Sequence, residues 1–140
     1  KEERSWDVWL TGIQHPALSC ALLYARLHQW PIAAEVASEL ITLTNQPLIR
    51  IESFRLLARC SIATGVPAEP AKQLTCALKE AERARYVWLV MQITAELLKL
   101  APSAEMRDKL AELLARTKTK PEKIYLTDGS TVAEILAKHK

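Results

Sequence analysis

The chain has little of what turns and strands require. Its 140 residues include three Gly, a single Asn (Asn45) and one Phe. Ala, Leu, Glu, Lys and Arg dominate instead, and these residues favour helix. Strand-forming residues nowhere alternate over a convincing length. The composition therefore predicts an all-α fold, and a length of 140 residues fits one domain with a substantial core.

Cysteine is also scarce. Cys20, Cys60 and Cys76 are odd in number and lie at no metal-ligand spacing. This argues against a disulfide framework and against a zinc site. Each thiol falls within an apolar helical pattern, so we predict that all three are small core residues. Free thiols favour a reducing compartment, and we expect a cytoplasmic location.

Long apolar runs and a one-sided charge are missing too. No stretch reaches the roughly 18 apolar residues that span a membrane, and no signal peptide is recognisable. The 19 basic and 16 acidic residues are interspersed, which is too even a balance for a nucleic-acid surface. The chain begins at Lys1 instead of Met. We therefore expect a piece of a longer parent chain, with neither a membrane nor a nucleic acid as partner.

Motifs for catalysis or cofactor binding are absent from the sequence. There is no GxxxxGK[ST], no GxGxxG and no HExxH. His15, His28 and His139 have no Cys or acidic partner at ligand spacing. We therefore predict a protein that is not an enzyme and that needs no metal or cofactor.

What the sequence does contain is a pattern that returns every 37 residues. Apolar or small residues recur in register at Leu23, Cys60 and Leu97, at Ser19, Leu56 and Ile93, at Ala37, Leu74 and Ala111, at Leu40, Ala77 and Leu114, and at Ile41, Leu78 and Ala115. Helix breakers fall in step at Gln29-Trp30-Pro31, at Gly65 to Pro70 and at Pro102-Ser103. A period between 20 and 50 residues is typical of stacked supersecondary units.

The pattern divides the chain into three parts. Residues 15–119 should form three helical hairpins, with helices over about 15–30, 31–44, 47–64, 71–84, 85–100 and 103–117. The fifth helix should be the most buried and should carry Trp88 into the core. Residues 1–14 should add an N-terminal helical extension through Trp6, Trp9, Leu10 and Ile13.

Residues 120–140 need a separate explanation. Ile124 to Leu126 precede an Asp128-Gly129 turn, and Thr131 with Glu134 forms a capping-box pair that starts a last helix. This tail could begin another small domain as a strand, turn and helix. It could instead be a capping helix that closes the repeats, which is the reading that we favour.

The second hairpin resembles the tetratricopeptide repeat (TPR), through Phe54, Leu57, Ala58, Gly65, Leu74 and Ala77. The first hairpin matches through Ala21, Tyr24, Ala33 and Leu40, with His28 in the place of the turn glycine. The third matches through Ala95, Ala111 and Leu114, with Pro102 in that place. The spacing of 37 residues exceeds the usual 34 of the family, which indicates a divergent variant with longer helices.

The resemblance implies a right-handed α–α superhelix, a helical-hairpin solenoid whose first helices line a concave groove for a partner peptide. Carried over by position, the partner-binding side chains in that groove would be Arg26, Glu52, Arg55, Arg59, Gln92, Glu96 and Lys99. Arg55 and Arg59 lie at i, i+4 and project from one helix face, so their guanidinium groups could grip carboxylates. The alternative for each arginine is a solvated face or a pair with a local acid such as Glu52.

Two functions fit this surface. The leading hypothesis is a protein–protein interaction scaffold that binds a partner peptide or subunit. The alternative is a sensor or regulatory repeat domain of a larger signalling protein or transcription regulator, since Tyr86-Val87-Trp88 resembles helical repeats of large bacterial regulators. A helical-repeat RNA binder is disfavoured, because base-reading repeats need polar residues at fixed places in each unit.

Overall fold

A computed structural model of the chain describes residues 15–65 and 69–139, and these residues are folded into helices. The predicted extension over residues 1–14 lies outside the described residues. Within the described ranges, no helix is long and apolar enough to cross a membrane. Seven α-helices are described: α1 Pro16–Arg26, α2 Trp30–Leu43, α3 Pro47–Thr64, α4 Pro70–Ala84, α5 Val87–Leu100, α6 Ala104–Thr117 and α7 Val132–Lys138.

Proline and side-chain caps determine where most helices begin. The helices α1 to α4 each carry Pro in the first or second position, where the missing N–H costs no hydrogen bond. The α6 helix begins after Ser103, whose side chain accepts from the Met106 N–H. Thr131 caps α7 in the same way through the Glu134 N–H. The predicted cap at Thr131 is therefore confirmed.

Residues with a left-handed backbone conformation determine where α1 and α3 end, which are the first helices of the first two hairpins. His28 (φ 61°) and Gly65 (φ 70°) follow α1 and α3 and lie 37 residues apart. His28 thus takes the conformation of the turn glycine that it replaces. Because His28 is left-handed, α1 ends at Arg26, earlier than the predicted stop near Trp30.

The core is built as three clusters that share helices. The first cluster joins α1 and α2 to α3 through Ile49, Leu56 and Cys60. The second joins other residues of α3, Ile51 and Ala58, to α4 and to α5. The third joins α5 to α6 and to the tail through Met91, Ala95 and Leu98 of α5. Because α3 and α5 each belong to two clusters, they are apolar on more than one face.

Burial corrects two predictions about the core. Trp88 was expected in the core and is 48% exposed, because the first turn of α5 extends beyond the two clusters that bury the rest of the helix. Cys20 is exposed and Leu23 is 49% exposed, while Cys60 is buried and Cys76 is intermediate. Cys20 and Leu23 lie off the buried α1 stripe, and α1 belongs to one described cluster only.

The tail packs against the third hairpin. A short 3₁₀ turn, Pro121–Lys123, leads into an antiparallel bridge between Tyr125 and Thr131, which is the only β pairing in the described ranges. Ile124, Leu126, Val132 and Ile135 are buried in the third cluster. The capping interpretation expects such packing against the repeats.

The left-handed helix ends give a stability test. Gly65→Ala should lower the free energy of unfolding by about 1 kcal/mol, since a left-handed Ala is strained while its Cβ would meet no atom within 4 Å. Lys118→Gly, at φ 55°, should be neutral or stabilising. Chemical denaturation of both variants measures this. A gain in stability for Gly65→Ala would contradict the assigned helix end.

Candidate functional site: the cleft between α3 and α5

Arg55 of α3 is a buried cation held by carboxylates of this chain. It is 5% exposed, and its Nε donates to Glu96 Oε1 at 2.9 Å. One terminal nitrogen donates to Glu52 Oε1 at 2.8 Å and to Gln92 Oε1 at 3.5 Å. Glu52 itself is 1% exposed. The guanidinium group that was predicted to bind a partner's carboxylate therefore binds two carboxylates of this chain, one on α3 and one on α5.

The electrostatics keep this guanidinium charged. Burial alone would lower the pKa of Arg55, but the nearby Glu52 and Glu96 carboxylates outweigh burial and raise it above its usual value. A buried charge is tolerated when it is paired and fully hydrogen-bonded. Arg55 with Glu52 and Glu96 is thus an internal bridge between α3 and α5.

This bridge corrects part of the predicted groove. Glu52 and Arg55 were assigned to a surface that faces a partner, and both are buried. The alternative, in which an arginine pairs with Glu52, is confirmed for Arg55. Sequence reasoning missed Glu96 as the second carboxylate because it lies 41 residues away along the chain.

The predicted groove residues of α5 bind the chain's own tail. Gln92 Nε2 donates to the Tyr125 carbonyl at 2.8 Å, and the Thr127 hydroxyl donates to Glu96 Oε2 at 3.1 Å. Lys99 forms an ion pair with Asp128. Three predicted partner-binding side chains are therefore joined to residues 125–128 of the tail. The acidic Asp128-Gly129 turn was visible in the sequence, but nothing there indicated its position on α5.

Lys99 lies in a partly buried setting with charges of both signs. Partial burial lowers its pKa, and the nearby cations Lys138 and Arg59 lower it further, while Glu96 and Glu134 oppose this. Its ammonium group is nevertheless within ion-pairing reach of Asp128 at the surface, where Lys99 is 44% exposed. The Lys99–Asp128 pair therefore forms a polar rim.

Behind this rim lies the α3–α5 cleft, a cavity of about 390 Å³. It is bounded by the second halves of α3 and α5, by the first turns of α2 and α4, and by the tail segment 126–128. Its lining residues are Trp30, Arg59, Ile62, Ala63, Leu74, Glu96, Lys99, Leu100, Leu126, Thr127 and Asp128. Ile62 is 56% exposed and Leu100 36%, so two apolar side chains are accessible at this site.

The structure brings only some of the predicted residues to this cleft. Arg59, Glu96 and Lys99 line it, and Arg55 lies beneath the surface with Glu52. Arg26, in the last turn of α1, is not among the lining residues, so the three arginines do not form one cluster. Trp30 is a lining residue that the site prediction did not include; it stacks on His28 with ring centroids 5.6 Å apart.

The α3–α5 cleft has apolar walls and a charged rim. The described part of the chain contains no group of three or more His, Cys, Asp or Glu that could hold a metal ion. Burial raises the pKa of the nearby Cys60 thiol to about 11, although Arg59 opposes this, so Cys60 remains a thiol at neutral pH. Such a cleft suits a ligand in which an apolar side chain lies next to a polar group.

The Arg55 bridge can be tested by removal of the cation. Arg55→Met should lower the free energy of unfolding by about 3–5 kcal/mol, because it leaves the buried Glu52 carboxylate and the partly buried Glu96 carboxylate without their shared partner. Arg116→Met is a matched control at an exposed position and should change stability by less than about 0.5 kcal/mol. Denaturant titration compares the two. A loss below about 1 kcal/mol for Arg55→Met would contradict a structural role.

Thiol labelling tests the burial pattern. At mildly alkaline pH the exposed Cys20 should react first and the buried Cys60 last. The pKa of Cys60, raised from 9.0 to about 11, makes its thiolate fraction about a hundredfold smaller even before its burial is considered. Mass spectrometry of partly labelled protein gives the order, and denatured protein is the control, in which the difference should largely disappear. Equal native rates would contradict the first core cluster.

Comparison with known proteins identifies no family for this chain. It matches no protein-family model, no curated protein and no solved structure. The tetratricopeptide resemblance therefore stays an interpretation of the residue pattern. The described residues themselves show an all-helical fold with an apolar cleft between α3 and α5.

Proposed function

We propose that this chain is a protein–protein interaction scaffold and that the α3–α5 cleft holds an apolar side chain of a partner peptide. The observation that carries the proposal is the composition of the cleft. Ile62, Ala63 and Leu100 line it together with Arg59, Glu96 and Lys99, and the last three are positions that the tetratricopeptide resemblance assigns to a concave groove. Accessible apolar side chains beside charges are the usual anchor points of an interface.

The proposed architecture is a divergent, tetratricopeptide-like right-handed superhelix. Three features support stacked hairpins. Each helix from α1 to α5 packs on the next, and α1 also contacts α3. The core clusters cross from one hairpin to the following one. Arg55 also contacts Gln92, which lies 37 residues further on, one period of the pattern.

The tail forms a fixed wall of the proposed binding site. Leu126 is 3% exposed and belongs to the third core cluster together with Ile124. Displacing it would expose apolar surface at a cost of about 25 cal/mol per Å². A partner peptide therefore binds beside segment 126–128, and it meets Lys99 and Asp128 at the rim while Gln92 and Glu96 keep their internal bonds.

A cytoplasmic partner fits the chemistry of the thiols. Cys20, Cys60 and Cys76 are all free in the described structure. Cys20 is exposed, and such a thiol persists most readily in a reducing compartment. We therefore place the proposed scaffold in the cytoplasm.

The cleft can be tested with a random peptide library selected on the wild-type protein. Peptides that share an apolar anchor residue should emerge. Ile62→Glu should weaken their binding about tenfold or more, because it puts a carboxylate into the apolar wall. Fluorescence anisotropy with a labelled selected peptide measures the affinity.

Leu43→Glu is the matched control for this experiment. Leu43 is 80% exposed at the end of α2 and does not line the cleft, so the same substitution there should leave the affinity unchanged. Circular dichroism should show that both variants stay folded. A library without an enriched anchor, or selected peptides that tolerate Ile62→Glu, would refute the assignment.

A further inference from the structure

A second groove lies between α4 and α6, across the first turn of α5. It is a cavity of about 450 Å³ whose lining residues are Glu82, Arg85, Val87, Val90, Lys109, Glu112, Leu113 and Arg116. None of these residues lines the α3–α5 cleft. We call it the α4–α6 groove, and it is a separate surface of the molecule.

One cation of this groove is ion-paired within the described part of the protein, and two are not. Lys109 Nζ lies 2.9 Å from Glu82 Oε2, and this ion pair joins α6 to α4. Arg85 and Arg116 are exposed, and no carboxylate of the described residues lies within ion-pairing distance of either. Glu112 is the only other acid among the lining residues, so three cations face two anions there. The groove thus offers two guanidinium groups to a ligand.

Apolar surface accompanies these cations. Val90 is buried and Leu113 partly buried, while Val87 is 39% exposed. Tyr86 and Trp88 flank Val87 in the chain and are 39% and 48% exposed, respectively. Tyr, Trp and Arg are the residue types most enriched among side chains that dominate binding energy at interfaces. Tyr86 and Trp88 are not among the lining residues, so the groove itself combines the two arginines with the apolar surface of Val87 and Leu113.

We propose that the α4–α6 groove binds an acidic segment of a partner protein, one that carries carboxylates around an apolar side chain. The carboxylates pair with Arg85 and Arg116, whose planar forks match carboxylate geometry. The apolar side chain covers Val87 and Leu113. Charge complementarity favours this ligand, because Lys109 is already paired with Glu82 and a basic segment would meet the two guanidinium groups of Arg85 and Arg116.

Specific binding in this groove differs from the weak attraction of any acidic peptide to a positively charged protein. The net charge of the chain is +3, so any acidic peptide is drawn weakly to it. Exposed ion pairs contribute only about 0.2–1 kcal/mol each. Specific binding therefore requires the guanidinium groups and the apolar contact together, and it should depend on where the charges lie.

The probe is a fluorescein-labelled synthetic peptide of alternating Glu and Leu residues, with the same peptide carrying Gln for Glu as its uncharged partner. Anisotropy should show saturable binding of the Glu peptide, weakened as the salt rises from about 50 mM to about 300 mM, and little binding of the Gln peptide. The double variant Arg85→Glu/Arg116→Glu should weaken the affinity about tenfold or more.

The matched control is Arg83→Glu/Lys120→Glu. It changes the net charge equally at two exposed positions that do not line the groove, and it should cost about threefold or less. If the charge-reversed protein loses helical circular dichroism, Arg85→Gln/Arg116→Gln replaces it, with a smaller loss expected. Equal losses in test and control variants, or a loss caused by Ile62→Glu instead, would overturn the proposal. Failure here leaves the α3–α5 cleft unaffected, since the two surfaces share no residue.

Discussion

The buried guanidinium of Arg55 is the constraint on which the relative placement of the second and third hairpins depends. Apolar packing is non-directional, so the three core clusters alone would tolerate small shifts of one helix along another. The bonds from Arg55 to Glu52 and Glu96 are directional and lie in the interior, where an unpaired charge would be costly. Glu96 also accepts from Thr127, so the same network extends to the tail.

This network determines where a partner can bind. A groove residue that is already bonded within the protein is not available to a peptide without the loss of that bond. Glu52, Arg55 and Gln92 are used in this way. What stays accessible is the adjoining cleft, where Ile62 and Leu100 reach the surface beside the Lys99–Asp128 pair. The proposed binding site is therefore shorter than the predicted groove across three units.

The positions of the helices could be predicted from the sequence more accurately than the contacts between them, because helix ends depend on local residues and contacts depend on packing. Proline and left-handed residues act locally, which is why α3 was placed at 47–64 and why His28 was aligned with Gly65. The period was only approximate, since α1, α3 and α5 begin 31 and 40 residues apart. An arginine on an apolar helix looks the same in sequence whether it meets a carboxylate or water. Glu96, 41 residues from Arg55, could be identified as its partner only from the packing.

The arrangement of the two proposed surfaces fits the proposed scaffold better than a relay. Both involve α5: Val87 and Val90 face the α4–α6 groove, and Glu96, Lys99 and Leu100 line the α3–α5 cleft. This helix of 14 residues is about 20 Å long, and its buried residues belong to two core clusters. A relay needs an element with two arrangements that both ligands bias. A helix held in two clusters and bonded through Glu96 to Arg55 and Thr127 instead keeps both surfaces at a fixed separation.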